Sequence, residues 1–228
     1  MNLFMKTIVK FLVFFVVIST FLSSCSILQK GDGFQGIITY DITYESDELS
    51  ASDRAQLPTE MVVYISDNKV RQDQTTAFYS FSQIFDFNDG STIILMDVMG
   101  QKIAVKQSKE EFEEAMEMAE IKEPEIKFVD ETKQIAGYRS KKAELIMDGD
   151  VVDVFYTDEL DVPEKINENT EFKGIKGLLM DYTVIKEGLI MTTTVREINS
   201  SRVAAHKFKI PDDYELKTAE ELGGMFGM

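Results

Sequence analysis

The sequence predicts a mainly β fold: a single curved antiparallel sheet or open half-barrel of about ten or eleven strands, with one to three short helices. Three observations lead there. Apolar residues alternate strictly with polar ones, as at Ile38, Tyr40, Ile42 and Tyr44, which is the period of a strand with one buried and one wet face. Short turn sequences such as Ser66-Asp67-Asn68, Asn88-Asp89-Gly90, Asp148-Gly149 and Glu187-Gly188 separate these runs and make them successive hairpins. So many strands in one sheet require curvature, because flat sheets of that size are unusual.

The chain opens on a leader. Lys6 and Lys10 precede the apolar run 11–18, and Ser19-Thr20 leads into Leu22-Ser23-Ser24-Cys25. A basic start, a short apolar core and small residues before a cysteine describe a bacterial lipoprotein signal peptide over residues 1–24, and the run is short for a membrane span. Cys25 is the only cysteine in the chain, so it is the expected lipidation site. Acyl chains there hold a protein on a membrane at about 0.8 kcal/mol per buried methylene. Residues 25–33 contain Gly31 and Gly33 and no clear period, which reads as a lipidated tether.

A half-barrel β domain is expected over residues 34–216. Strand patterns run over 38–45, 61–65, 69–75, 78–87, 92–97, 102–106, 138–147, 151–157, 178–186, 189–198 and 204–209, the last closed by Pro211. One helix interrupts them. Ser108-Lys109-Glu110-Glu111 fits a capping box, Phe112, Ala115, Met116 and Ala119 then recur at helical spacing, and Pro124 marks the stop. That apolar stripe predicts a helix lying across the concave face of the sheet. Shorter helices are expected over 47–56 and 218–222, and residues 217–228 form a C-terminal tail.

Composition excludes several function classes. The formal net charge is −16, or −18 without the leader's two lysines, and so acidic a surface repels nucleic acid. Without a second cysteine the domain has no internal disulfide. The chain has a single histidine, His206, and no Gly-x-Ser-x-Gly elbow, so no nucleophilic triad is expected, and zinc or iron sites lack ligands. Asp86-Phe87-Asn88-Asp89-Gly90 and Asp148-Gly149-Asp150 do not fit a calcium-binding EF-hand loop and read as hairpin turns. The methionines read as adaptable core filling. No enzymatic activity and no cofactor are expected.

The strand that starts near Tyr79 carries the candidate binding residues. Tyr79, Phe81, Phe85 and Phe87 share one face by the period of two. They can line a greasy cavity or fill an ordinary core beneath the Phe112 helix, and Phe112 and Met116 of that helix complete the candidate set.

Several segments resemble a known group. A lipobox, Phe34-Gln35-Gly36, Ile135-Ala136-Gly137-Tyr138-Arg139-Ser140-Lys141-Lys142-Ala143, Tyr156-Thr157, Gly174-Ile175-Lys176-Gly177-Leu178-Leu179 and Phe208-Lys209-Ile210-Pro211-Asp212-Asp213-Tyr214 resemble Bacteroidota envelope lipoproteins of the domain of unknown function 4412 type, related to the GLPGLI family. Lys176 stands where the GLPGLI signature has proline, and Ser140 where relatives often carry cysteine. The resemblance implies a fold similar to the lipoprotein carrier LolA and its receptor LolB, an eleven-stranded half-barrel with helices in its concave side.

The expected function is that of a lipid-anchored envelope protein binding a hydrophobic ligand or an acyl group in the half-barrel, with the Phe112 helix as lid. The alternative is a periplasmic protein–protein interaction module without a ligand cavity. Ser26 after the cysteine, and the absence of acids from Ile27-Leu28-Gln29-Lys30, place the expected anchor in the outer membrane, facing the periplasm.

Overall fold

The computed structural model describes residues 33–118, 124–147, 149–186, 188–218 and 221. The leader, Cys25 and most of the 218–222 helix lie outside them. Among the described residues the strands are β1 (Gly36–Glu45), β2 (Glu60–Ser66), β3 (Lys69–Thr75), β4 (Tyr79–Asp86), β5 (Thr92–Val98), β6 (Gln101–Gln107), β7 (Glu125–Ile135), β8 (Tyr138–Met147), β9 (Asp150–Thr157), β10 (Leu178–Lys186), β11 (Leu189–Asn199) and β12 (Glu215–Lys217). They form one open twelve-stranded sheet in the order β12-β6-β5-β4-β3-β2-β1-β11-β10-β9-β8-β7. Two crossovers interrupt the hairpins: after β6 the chain passes α2 (Lys109–Met118) and restarts at the far edge with β7, and after β11, beside β1, it returns to set β12 against β6.

Turn chemistry sets the register. Asp67 and Asn68 both adopt positive φ, 53° and 58°, between Ser66 and its partner Lys69, which is the two-residue turn whose twist matches that of the flanking strands. Met99-Gly100 and Ala136-Gly137 repeat the device with φ of 54° and 89°, and of 48° and 87°. The expected hairpins are therefore present, and two strands join them that the alternation did not mark. β7 is an edge strand, mostly exposed on both faces, so burial imposes no period on it. β12 is three residues long and pairs parallel to β6. The strand expected over 204–209 is instead a 3-10 turn, Ala205–Phe208. The helix expected over 47–56 shortens to α1 (Ala51–Arg54), capped by Ser50 and Asp53.

The inner face carries the main core: Ile38, Tyr40 and Ile42 of β1 meet Met61, Val63 and Ile65 of β2, Val195 of β11 and Met180 of β10. An irregular segment, residues 158–177, covers this face with Phe172 and Ile175 and with Leu160, Val162 and Ile166. Asn167 fixes it, its buried Nδ2 donating to the carbonyls of Ile175 at 2.8 Å and Gly177 at 3.0 Å. At its start, the Phe34 N–H donates to the Asp161 carbonyl at 2.6 Å. On the outer face, Val203 and Phe208 close over Ile84, Leu95 and Ala104, held where Arg71 Nη1 donates to the Lys207 carbonyl at 2.7 Å. The other half of the outer face is charged: Arg196 joins Asp41 and Glu60, and Lys133 bonds Asp181 at 2.6 Å while standing 3.7 Å above the Phe155 ring centroid.

The expected capping box of α2 forms, with the Ser108 N–H donating to Glu111 Oε2 at 2.7 Å and the Glu111 N–H to Ser108 Oγ at 3.3 Å. Phe112 is buried, whereas Ala115, which its spacing put on the same stripe, is exposed. The cover over the middle of the inner face is thus residues 158–177.

Candidate functional site

Two chambers border the 158–177 segment on the inner face, and different residues of that segment wall each. Lys165, Glu168 and Asn169 face a cavity of about 370 Å³ whose other walls are Phe85, Phe87, the hairpin 88–92, Lys109, Phe112 and Glu113. Ile166, Asn167, Thr170, Glu171 and Phe172 face a second cavity of about 210 Å³, lined by Tyr40, Met61, Val63, Gln72, Leu178, Leu179, Tyr182, Val184 and Met191.

The larger chamber has an aromatic floor. Phe85 lies near the end of β4 and Phe87 in the turn just past it; both line the chamber, and their rings stack at 6.1 Å and 19°. Phe112 meets Phe85 edge-on, centroids 5.8 Å apart at 78°. Above the floor the groups are polar and of both signs. Lys109 and Glu113 pair one helical turn apart at 3.6 Å, and Gly90 lies so near the Lys109 stem that a Cβ there would come within 2.9 Å of it. The hairpin beneath is rigid: Gly90 N–H donates to the Asp86 carbonyl at 2.8 Å, Ser91 N–H to Asp89 Oδ1 at 2.9 Å, and Asn88 Nδ2 to the Asp67 carbonyl at 3.0 Å. Hydrogen bonds from Ser91 hold the Asp89 carboxyl below its usual range. Thr92 closes the floor, buried opposite Phe85.

The smaller chamber is apolar, with phenols in its wall. Tyr40 donates to the Leu179 carbonyl at 3.0 Å, and burial, then the neighbouring Tyr182, push its phenol well up. Burial pushes Tyr182 up to about 12, offset in part by its hydrogen bond with Thr193.

Three of the candidate residues read from the sequence, Phe85, Phe87 and Phe112, therefore meet at one cavity. Phe81 and Tyr79 share the inner face but lie toward the other end of β4, opposite Met96 and Val98. The Met116 side chain and Cys25 lie outside the described residues. His206 is exposed on the outer-face 3-10 turn. Among the described residues no group of three histidines, cysteines or acids could hold a metal ion. The sequence reading missed Thr92, whose signal was legible: it shares a strand face with Ile94 and Met96, a hydroxyl on an apolar stripe. It also missed Lys165, Glu168 and Asn169, which a segment without period brings to the site.

A family model described as "N-glycanase peptide, N-terminal domain" matches residues 42–213. Two solved structures of PNGF-II, in C2 and P21 space groups, share the fold with TM-scores of 0.51 and 0.50 at 14% identity. They cover 85% and 84% of this chain, and the chain spans a third of the length of each, 33%. No curated protein matches it. These matches overturn the resemblance to the domain of unknown function 4412 and GLPGLI lipoproteins. The short motifs behind that resemblance meet backbone demands of this fold: Gly177, at φ 115°, would put a Cβ 2.3 Å from the Thr157 carbonyl oxygen, and Ala136-Gly137 is a hairpin turn. With three quarters of its length matched by one family model, the chain belongs to the family of N-glycanase N-terminal domains.

Proposed function

We propose that this chain is a non-enzymatic binding domain that seats a sugar ring of a glycan in the aromatic chamber. One observation carries the reading: three phenylalanine rings form an apolar floor inside a rim of carboxylates, amines and carboxamides, in a cavity of about 370 Å³. A pyranose has an apolar C–H face and a periphery of hydroxyls that both donate and accept, and such a floor and rim suit both halves of it. The family supports the class, since its description names an N-glycanase. An acyl chain suits the geometry less, because residues 158–177 already fill the middle of the half-barrel. The apolar space left there, about 210 Å³, falls below the roughly 300 Å³ at which drug-sized ligand sites begin.

Docking of a protein is the second reading. It is favoured at the opposite end of β4, where Phe78 is 54% and Met99 89% exposed and Met99 holds a left-handed backbone at φ 54°. Titrating the full chain with N,N′-diacetylchitobiose, the reducing-end disaccharide of N-linked glycans, separates the two. Saturable binding lost on Phe85→Ala supports the sugar site, and no binding leaves the docking reading. The proposal includes the lipid on Cys25 and an outer-membrane location facing the periplasm, so Cys25→Ser should release the protein into the soluble fraction.

A further inference from the structure

Buried polar side chains of this domain find partners. Arg71 Nη2 donates to Ser82 Oγ at 3.1 Å, Ser140 Oγ donates to the Tyr138 carbonyl at 3.4 Å, the Glu159 N–H donates to Thr157 Oγ1 at 3.2 Å, and Asn167 bonds two carbonyls. Thr92 is the exception. It is 1% exposed, and among the described residues its Oγ1 is the buried side-chain polar atom without a hydrogen-bond partner. A buried hydroxyl left unpaired is costly, and valine occupies the same shape without that cost. The strand has no need of the hydroxyl for β propensity, since neighbouring β5 positions on the same face are Ile94 and Met96.

Thr92 also lines the aromatic chamber, directly across the ladder from Phe85. We infer that Thr92 is the specificity-determining residue of this chamber, its Oγ1 exchanging a hydrogen bond with a hydroxyl or acetamido group of a neutral sugar ring seated on the phenylalanine floor. The inference rests on the sugar-binding reading above. A hydroxyl can donate one hydrogen bond and also accept, without carrying charge, so it suits an uncharged, hydroxyl-bearing ligand and rejects an apolar one of the same shape.

The test compares the full chain with Thr92→Val and Thr92→Ser, using N,N′-diacetylchitobiose as probe and calorimetric titration beside thermal melting without ligand. Thr92→Val should melt at the wild-type temperature or above, because it removes an unpaired buried hydroxyl, yet bind roughly tenfold more weakly. Thr92→Ser should keep binding close to wild type. If Thr92→Val binds as tightly as wild type while Phe85→Ala does not bind, the role of Thr92 is overturned and the sugar site stands. If Thr92→Val melts well below wild type, the hydroxyl has an internal structural duty and the inference falls. If the wild-type chain does not bind the probe, the site and the inference fall together.

Discussion

Phe112 meets Phe85 edge-on, with ring centroids 5.8 Å apart, and this pair ties α2 to the inner face of the sheet. Among the described side chains of the helix Phe112 is the buried one, and Ala115 is exposed. We predict that Phe112→Ala lowers stability by about 3 kcal/mol, at the lower end for a phenylalanine deletion because the site is at a rim. Hydrogen exchange should then quicken over residues 109–118 while β1 and β2 stay protected.

Asn167 is the pin of the covering segment. Its Nδ2 serves two carbonyls, and Asn167→Ala leaves both without that donor. The expected loss is about 1–3 kcal/mol in urea unfolding, with protease cutting appearing within residues 158–177.

Gly177 and Gly149 both hold positive φ, 115° and 95°, but only Gly177 would press a Cβ into backbone, 2.3 Å from the Thr157 carbonyl oxygen. Gly149→Ala should cost about 1 kcal/mol from the strained dihedral alone. Gly177→Ala should cost clearly more, seen as a lower melting temperature than that of Gly149→Ala, because the start of β10 has to shift.

The pH dependence has a defined sign on the alkaline side. Tyr182, at about 12, and Tyr40, also raised, are neutral in the folded chain at pH values where an unfolded chain ionises them. The Tyr182 contribution is whole below pH 10 and is lost as pH rises from about 10 to 12, and that of Tyr40 has the same sign. Phenolate absorbance should therefore rise for these two residues together with unfolding, and Tyr182→Phe should move the alkaline midpoint upward.

Much of the fold was legible because burial writes a period into it. Ile38, Tyr40 and Ile42 alternate because one face of β1 meets the core, and Phe85 and Phe87 do so at the site. β7 left no such trace, since as an edge strand it answers to solvent on both faces. The residues 204–209 look like a strand by composition, yet only Phe208 of the 3-10 turn there is buried. The chamber was half legible for the same reason: Phe85, Phe87 and Phe112 follow regular spacing, whereas Lys165, Glu168 and Asn169 arrive on an irregular segment positioned by Asn167.

The most direct test of the sugar site is an amide chemical-shift titration of the full chain with N,N′-diacetylchitobiose. A sugar seated in the chamber should give saturable shifts confined to residues 85–92, 109–113 and 165–169, around the Phe85–Phe112 floor. Shifts gathered at Phe78, Val98 and Met99, or none at saturating disaccharide, would contradict it.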